Sequence, residues 1–342
     1  MKEATKADQA LALLSGGLDS SLAVKMMIDQ GIAVTAVHFT SPFCNCTSRR
    51  AGCRHQAVKV AQEFGVPIRV IHKGMDYMRI VENPPHGYGR GLNPCIDCRI
   101  YMLKKVKEMM AGMGASFVIT GEVLGQRPMS QHRAAIRTIE KESGLEGLIL
   151  RPLSAQHSPP TVPEREGIVD RGKLLAFSGR SRKPQIELAV TLGVKDYPCP
   201  AGGCLLTDPV IAARLRDIFA HVRDYDMADL QLLKIGRHFR LHPRLKIILG
   251  RNRSENEQIQ AMERPGSVLF KPLDFRGPTC LATGSPDREA ESRIGKIMAG
   301  YSQEEKPRYQ VKKQKILGGD ESLFWVEQKI NKEAVAGLQI GG

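Results

Sequence analysis

Apolar residues in the first two hundred positions form short runs separated by segments with helical periodicity. The runs at 11–14, 33–39, 67–72, 116–120 and 148–153 have the length of buried strands. In the intervening segments, such as 103–113, apolar residues return every three or four positions, as on the buried face of a helix. This alternation predicts an α/β fold built on a doubly wound parallel sheet.

The pattern changes after Thr207. Helical periodicity over 210–222 and 227–233 leads into an apolar run at 245–249, and a Gly- and Pro-rich stretch follows. We therefore predict two domains, residues 1–207 and a smaller α+β domain over residues 208–342.

One polar segment stands out because it joins the first predicted strand directly to the first predicted helix. It reads Ser15, Gly16, Gly17, Leu18, Asp19, Ser20 and Ser21. Glycines let the backbone approach an anion closely, and the start of a helix offers free N–H groups and a positive dipole end. The order fits neither a Walker loop nor a dinucleotide fingerprint. A phosphate site is predicted here, the structural alternative being an ordinary strand-to-helix corner.

Charge and composition narrow the class of protein. The chain carries a formal net charge of +14 with 42% hydrophobic and 5% aromatic residues. No apolar run approaches the length of a membrane span, and the first ten residues are charged rather than apolar. We expect a cytoplasmic protein without a membrane partner. The positive charge favours a polyanionic partner, although a solvated basic surface has the same composition.

Eight cysteines are grouped rather than scattered along the chain. The groups are Cys44, Cys46 and Cys53; Cys95 and Cys98; Cys199 and Cys204; Cys280 stands alone. In a reducing compartment such groups indicate metal or sulfur chemistry rather than disulfides. The C-x-x-C pair alone is ambiguous between a redox pair, a zinc half-site, an iron–sulfur ligand set and buried unligated thiols. The first group, with His55 nearby, could bind Zn²⁺ or hold spare thiols, and Cys280 is interpreted as a small buried hydrophobe.

The loop at residues 15–20 (SGGLDS) resembles the PP-loop of the N-type ATP pyrophosphatases at every fixed position. The resemblance implies an adenine nucleotide alpha hydrolase-like fold that cleaves ATP between its α and β phosphates. It also implies that residues 15–21 bind ATP. Because a carboxylate repels phosphate, Asp19 is expected to contact Mg²⁺ or to orient the turn. The adenine is expected near His38 and Phe39, where the second strand ends.

Residues 120–126 (TGEVLGQ), followed by RPL at 151–153, resemble the tRNA 4-thiouridine synthase family, and 93–98 (NPCIDC) is similar to motifs of that family and of the tRNA 2-thiouridylases. The resemblance adds Gly121 and Gln126 to the nucleotide site. It implies a [4Fe–4S] cluster, or a persulfide, on Cys95, Cys98 and Cys204, with Cys199 as rival or fourth ligand. The catalytic residues implied are Asp19 and these three cysteines. The THUMP and rhodanese domains of the family are not recognised in the sequence.

The segment at 246–257 resembles part of the RNA-binding domain of the NFACT family. The resemblance implies RNA binding by the C-terminal domain. Its basic side chains are candidates for phosphate contacts or simply a solvated face: Arg237, Arg240, Arg244, Lys246, Arg251 and Arg253.

Together these features predict an ATP-dependent tRNA sulfurtransferase that adenylates a uridine carbonyl oxygen and replaces it with sulfur. Arg180, Arg182 and Lys183 are expected to face phosphates or RNA. The expected partners are tRNA and a sulfur donor, either sulfide or a cysteine desulfurase or persulfide carrier, and a homodimer is left open. The alternatives are an adenylating ligase or amidotransferase with a non-RNA substrate, and a non-enzymatic RNA-binding module. The sequence leaves open which uridine is modified and whether C4 or C2 receives sulfur.

Overall fold

A computed structural model describes residues 9–44, 53–195, 197, 203–262, 265–316 and 319–341, without the side chain of Cys53. The chain divides into two compact units, residues 1–207 and 208–342. Within the described residues, no helix combines the length and the apolar composition needed to span a bilayer.

The first unit is built on a parallel sheet of five strands. They are β1 (Gln9–Leu13), β2 (Ala33–Thr40), β3 (Ile68–His72), β4 (Ala115–Thr120) and β5 (Ile149–Leu150). Their spatial order is β3-β2-β1-β4-β5, and every neighbouring pair is parallel. The order reverses between β1 and β4, so a crevice opens beside their carboxyl ends, where ligands bind in such sheets. The predicted fold class is confirmed.

Helices connect these strands. They are α1 (Leu18–Ile28), α2 (Cys53–Glu63), α3 (Met75–Glu82), α4 (Cys95–Met113), α5 (Arg133–Ser143), α6 (Val162–Arg165) and α7 (Lys183–Thr191), with short 3₁₀ turns at Ala155–His157, Arg171–Lys173 and Leu205–Thr207. Gly114 ends α4 and Gly144 ends α5, both in the left-handed conformation that glycine adopts without strain.

The core of this unit lies on both faces of the sheet because β1 is apolar on both sides. Ala10 and Ala12 pack on one face with α1, whereas Leu11 and Leu13 pack on the other with α4. A central parallel strand buried on both faces reads as a continuous apolar run, which is why the sequence predicts it correctly.

The second unit contains an antiparallel sheet. Its strands are β6 (Arg237–His242), β7 (Leu245–Leu249), β8 (Ser267–Pro272), β9 (Cys280–Thr283), β10 (Tyr309–Lys315) and β11 (Glu321–Val326), in the order β11-β10-β8-β9-β7-β6. Its helices are α8 (Pro209–His221), α9 (Met227–Leu232), α10 (Arg253–Gln260) and α11 (Arg288–Gly300), with a 3₁₀ segment at Lys332–Leu338.

The two edges of this sheet differ. Beside β6, the chain following the last 3₁₀ segment adds a short pairing: Gln339 bridges Phe239, and the Ile340 N–H donates to the carbonyl of His238 at 2.8 Å. Among the described residues, strand β11 pairs with β10 alone. Cys280 is fully buried in the core, as a small hydrophobe would be.

Candidate functional site

The turn between β1 and α1 is a tight glycine corner. Gly16 has φ of +78°, and a Cβ there would lie 2.7 Å from the backbone nitrogen of Ala57. Gly17 is the N-cap of α1 and has no side chain to cover the first N–H groups. The turn therefore leaves the start of a helix open to an anion, as predicted.

The serines of the turn are bonded to one another and to its backbone. Ser20 Oγ and Ser21 Oγ both donate to the carbonyl of Gly17, at 2.8 and 3.1 Å. Ser15 Oγ shares a hydrogen bond of 3.1 Å with Ser20 Oγ and accepts one of 3.3 Å from the Gly17 N–H. Ser15 is exposed, whereas Ser20 and Ser21 are buried. The hydroxyls thus fix the shape of the turn, and Ser15 is the one placed to reach a ligand.

Gly121 joins the TGEVLGQ segment to this turn. A Cβ at Gly121 would lie 2.5 Å from the carbonyl of Asp19 and from the backbone nitrogen of Ser20. The end of β4 and the first turn of α1 are therefore in backbone contact across the crevice. This contact gives Gly121 a steric role in the shape of the loop.

Glu122 is a buried ion-pair centre. Its carboxylate lies 3.3 Å from Arg99 Nε and accepts a hydrogen bond of 3.0 Å from Arg151 Nε. Arg151 also pairs with Glu140. Burial raises the pKa of Glu122, but the two arginines more than offset this and hold the pKa below its usual value. The Glu of TGEVLGQ and the Arg of RPL, far apart in sequence, are therefore one structural network that also holds Arg99 of α4.

Asp19 points into a cationic environment. Its Oδ2 lies 3.9 Å from Arg182 Nη2, and its Oδ1 is buried without a hydrogen-bond partner. Burial raises the pKa of this carboxyl, whereas Arg182, Gln126 and Arg127 lower it in part. An orphaned carboxylate oxygen beside a phosphate cradle fits a Mg²⁺ ligand, because Mg²⁺ usually takes one or two carboxylates and completes its shell with phosphates and water.

His38 and Phe39 lie at the end of β2. His38 is only 2% exposed, and its Nδ1 hydrogen bonds the carbonyl of Leu14 at 2.8 Å. Burial lowers the pKa of His38, which favours the neutral ring. The imidazole therefore supports the backbone that enters the glycine turn. Adenine binding at these two residues stays a prediction.

The sulfur of Cys98 accepts a hydrogen bond from a buried lysine that the sequence analysis did not identify as a site residue. Lys73, just after β3, is 8% exposed, and its Nζ donates to Cys98 Sγ at 2.9 Å. The same ammonium lies 4.7 Å from the centre of the Tyr77 ring. Burial raises the pKa of Cys98, but Lys73, the Tyr77 hydroxyl and Arg99 together outweigh it and lower the pKa below the usual thiol value. Cys98 is thus held towards the thiolate form, the nucleophilic one.

Cys204 and Cys44 are brought together by backbone pairing. They form an antiparallel bridge, and the Leu205 N–H donates to the carbonyl of Phe43 at 2.9 Å. On the other side, the Leu92 N–H donates to the carbonyl of Leu206, also at 2.9 Å. Residues 203–206 therefore pass between the loop after β2 and the loop before α4.

Electrostatics place the thiols together. Burial raises the pKa of Cys204 to about 11, with contributions from Cys98 and Cys44 among the smaller effects. Burial also raises the pKa of Cys95, and Cys98 adds to that shift. Three thiols predicted from two separate motifs thus share one neighbourhood, which Cys44 joins.

Metal ligation is a separate question. Among the residues described, no three or more His, Cys, Asp or Glu side chains are arranged to hold a metal ion. The thiols in their present arrangement do not fit a cluster, and Lys73 hydrogen bonds the Cys98 sulfur. Cys46, Cys199 and the side chain of Cys53 lie outside the described residues, so the zinc site and the choice between Cys199 and Cys204 stay predictions.

Arg127 connects the two halves of the site. It is close enough to Cys95 and to Asp19 for both to raise its pKa, whereas burial and the nearby Arg99 and Arg182 lower it. Lys73, Arg99 and Arg127 were missed as site residues in the sequence. The only signals were adjacency to the motifs, for Arg99 and Arg127, and position at the end of a strand, for Lys73.

Several predicted phosphate contacts of the second unit are used internally. Arg240 and Lys246 both pair with Asp217, at 2.7 and 3.0 Å. Lys246 is buried, so it cannot be a surface phosphate contact. Arg251, just before α10, pairs with Glu255, and Arg253 pairs with Glu257 within that helix. Arg237 stacks over Tyr301.

Residues 5–158 match the family described as thiamine biosynthesis protein (ThiI). Residues 236–334 match the family described as NFACT protein RNA binding domain. The resemblances to a thiouridine synthase and to an NFACT domain are thereby confirmed.

Two curated proteins and one solved structure are similar to parts of this chain. The chain is 32% identical over 126 residues to the tRNA-specific 2-thiouridylase MnmA of Fervidobacterium nodosum, covering 32% of this chain and 35% of that protein. It is 35% identical over 121 residues to a probable tRNA sulfurtransferase of a Thermoanaerobacter species, covering 34% and 30%. A structure titled as a 4-thiouridine synthetase–RNA complex with bound ATP aligns with a TM-score of 0.37 and 20% identity, over 66% of this chain and 52% of that one. The chain thus spans about a third of the length of these two curated relatives.

Proposed function

We propose that this chain is an ATP-dependent tRNA sulfurtransferase that replaces a uridine carbonyl oxygen with sulfur. The observation that carries the proposal is that both groups are held at the carboxyl ends of the parallel strands. Gly121, after β4, is in backbone contact with Asp19 of the anion-binding turn, and Lys73, after β3, hydrogen bonds Cys98. An ATP-activating loop and a set of thiols at one sheet edge can act on the same substrate atom. The likeness to relatives named as tRNA sulfurtransferase and 2-thiouridylase supports tRNA as that substrate.

The first step is adenylation. The free N–H groups at the start of α1 hold the phosphates of ATP, and Ser15 contacts them from its exposed position. The uridine carbonyl oxygen attacks the α-phosphorus, and pyrophosphate leaves. Arg182 and Arg127 stabilise the negative charge that develops on the phosphate oxygens. A Mg²⁺ ion bound through Asp19 would add charge neutralisation when present.

The second step delivers sulfur. A donor persulfide transfers its outer sulfur to the Cys98 thiolate, giving a Cys98 persulfide and a donor thiolate. The outer sulfur attacks the activated carbon, and AMP leaves with the original oxygen. A neighbouring thiol, Cys204 or Cys95, then attacks Cys98 Sγ and releases the thiouridine. This leaves a disulfide that a cellular dithiol reduces. Lys73 favours the thiolate at the start of this sequence.

The test is RNA-dependent formation of AMP together with thiouridine. Purified protein, ATP, unmodified tRNA and a persulfide donor should yield AMP, pyrophosphate and thiouridine detected by nucleoside mass spectrometry. Cys98→Ala should abolish thiolation and retain ATP binding, whereas Asp19→Asn should abolish AMP formation. Thiolation by Cys98→Ala would refute the role of Cys98. AMP formation with a small carboxylate and without RNA would favour the ligase alternative.

The resemblance to the 4-thiouridine synthases implies one other sulfur source, an iron–sulfur cluster, which Cys95, Cys98 and Cys204 could hold only after rearranging. Thiolates are the usual ligands of such clusters, and Cys199 could supply a further one. Anaerobic purification followed by iron and sulfide analysis decides between the two sources. About four irons per chain, lost in Cys95→Ala, would replace the persulfide proposal. Iron-free protein that still thiolates tRNA would support it.

A further inference from the structure

Strand β11 presents an apolar face on the side away from the core. Phe324 and Val326 point inwards and pack beside Gly295 of α11. Leu323 and Trp325 alternate with them and lie on the opposite face, where they are 56% and 44% exposed. Two large apolar side chains next to each other on an edge strand form a candidate binding surface.

The neighbours of these two residues are cationic. Across the β10–β11 ladder, Gln310 is opposite Trp325 and Lys312 is opposite Leu323. On the next strand, Lys271 is opposite Lys312. Arg308 stacks on Trp325, with its Cζ 4.3 Å from the ring centre. We call this surface, formed by Lys271, Arg308, Lys312, Leu323 and Trp325, the tryptophan face.

The positive charge of the tryptophan face indicates which class of ligand it binds. Lys312 pairs with Glu321 at 2.6 Å, which leaves the face with three cations and one carboxylate. An exposed aromatic ring on a sheet, surrounded by cations, is the arrangement that binds single-stranded nucleic acid. A base stacks on the ring while the cations contact the backbone. A duplex cannot use the ring in this way because its bases are already stacked on one another.

We propose that the tryptophan face binds a single-stranded segment of RNA, with one base stacked on Trp325 and phosphates at Lys271 and Lys312. The choice of RNA rests on the proposed function, and the place and mode of binding go beyond it. An unpaired loop or end of a tRNA is the substrate segment that this chemistry fits.

Trp325 is the only tryptophan of the chain, so intrinsic fluorescence reports on this face alone. Titration of the full chain with an unlabelled twelve-nucleotide oligouridylate should quench the emission saturably. Anisotropy of a labelled copy then compares variants. Trp325→Ala should weaken binding at least about fivefold, as expected for loss of one stacked base, and Trp325→Phe should weaken it less.

Charge variants test the phosphate contacts. Lys312→Gln should lower the slope of log affinity against log salt by about 0.7, as expected for one phosphate contact with a single strand. Arg293→Gln removes an exposed cation from α11, which packs on the opposite face of β11, and is the matched control, with no change in quenching.

Three outcomes would overturn the proposal. The first is RNA binding seen by anisotropy without quenching and with wild-type affinity in Trp325→Ala. The second is equal quenching by inorganic polyphosphate, which offers charge but no base. The third is a concentration-dependent dimer that Trp325→Ala dissolves, which would assign the face to a second copy of the chain.

Measuring thiouridine formation by the same variants distinguishes a failure of the tryptophan-face proposal from a failure of the proposed sulfurtransferase function. With saturating tRNA, Trp325→Ala should retain turnover and show a raised KM. Quenching by RNA in a wild-type protein that forms no thiouridine would uphold the tryptophan face and refute the sulfurtransferase function.

Discussion

Gly121 and Gly16 are positions where a single methyl group would collide with backbone. The site of contact at Gly121 is the first turn of α1, where Asp19 and Ser20 begin the helix. Backbone atoms cannot rotate away as a flexible side chain can, so the strand end or the helix start must move. The conformation of the phosphate-binding turn therefore depends on glycine, which has no Cβ, at positions 16 and 121.

Gly121→Ala should accordingly lower ATP affinity and AMP formation at least about tenfold, because a displacement of about 1 Å in a positioned group costs that much or more. Isothermal titration with ATP and an AMP assay measure the effect. Gly112→Ala, in the interior of α4 with open space around it, is the control and should leave both values unchanged. Normal ATP binding by Gly121→Ala would show that the cradle tolerates the shift.

Cys98 and Cys204 differ in their readiness to ionise although they lie in one neighbourhood. Burial raises the pKa of both, but at Cys98 the Lys73 ammonium, helped by the Tyr77 hydroxyl and Arg99, more than compensates. At pH 7.5, iodoacetamide should modify Cys98 before Cys204, as read by peptide mass spectrometry at short times. In Lys73→Met the preference should disappear, whereas Lys73→Arg should keep it. Faster modification of Cys204 in the wild type would contradict this order.

At the scale of elements, Glu122 ties α4 to β4 and to the segment after β5. A buried carboxylate with two arginine partners costs little net stability when complete but much when one partner is removed. Glu122→Gln should lower the free energy of unfolding by about 3–5 kcal/mol in urea titration. Glu257→Gln breaks an exposed pair on α10 and should cost about 0–1 kcal/mol.

The same network gives a pH dependence. Because the folded-state pKa of Glu122 lies below its ordinary value of 4.5, its contribution is complete above that value. The contribution is lost as the pH falls through the lower folded-state pKa. The stability difference between wild type and Glu122→Gln should therefore shrink in acid and stay constant above about pH 6.

The helices and strands were largely predictable where the periodicity of the apolar residues and the length of the apolar run indicate the same type of element. β1 to β4, α8 and α9 follow directly from apolar runs and periodicity. The strand predicted at 148–153 is reduced to Ile149–Leu150, because Arg151 turns into the Glu122 network. The anion-binding turn could be predicted because its residues are adjacent in the sequence. The contacts at Lys73, Arg127 and Gly121 could not be predicted, because each joins segments that are distant in the sequence.

At the scale of the whole molecule, each unit has its own apolar core. The second unit closes around Phe239, Phe270 and Met298, with helix α11 covering one face of its sheet. It also carries 23 basic against 17 acidic residues between positions 211 and 342. A separate core is the physical requirement for folding as an independent domain.

A fragment of residues 208–342 should therefore unfold cooperatively by circular dichroism and retain salt-sensitive RNA binding. The fragment of residues 1–207 should retain ATP binding and lose most of its affinity for tRNA. A fragment 208–342 without a cooperative transition would show that the second unit depends on the first.

The short pairing of Gln339 and Ile340 on β6 bears on self-assembly. Where that pairing covers β6, the described part of the sheet leaves β11 as its open edge, and strand addition at one open edge gives two copies related by a twofold axis. Loss of the last few residues would free β6 as well. A sheet with two free edges can add copies head to tail without limit. The same short segment would then decide between a closed pair and an open filament.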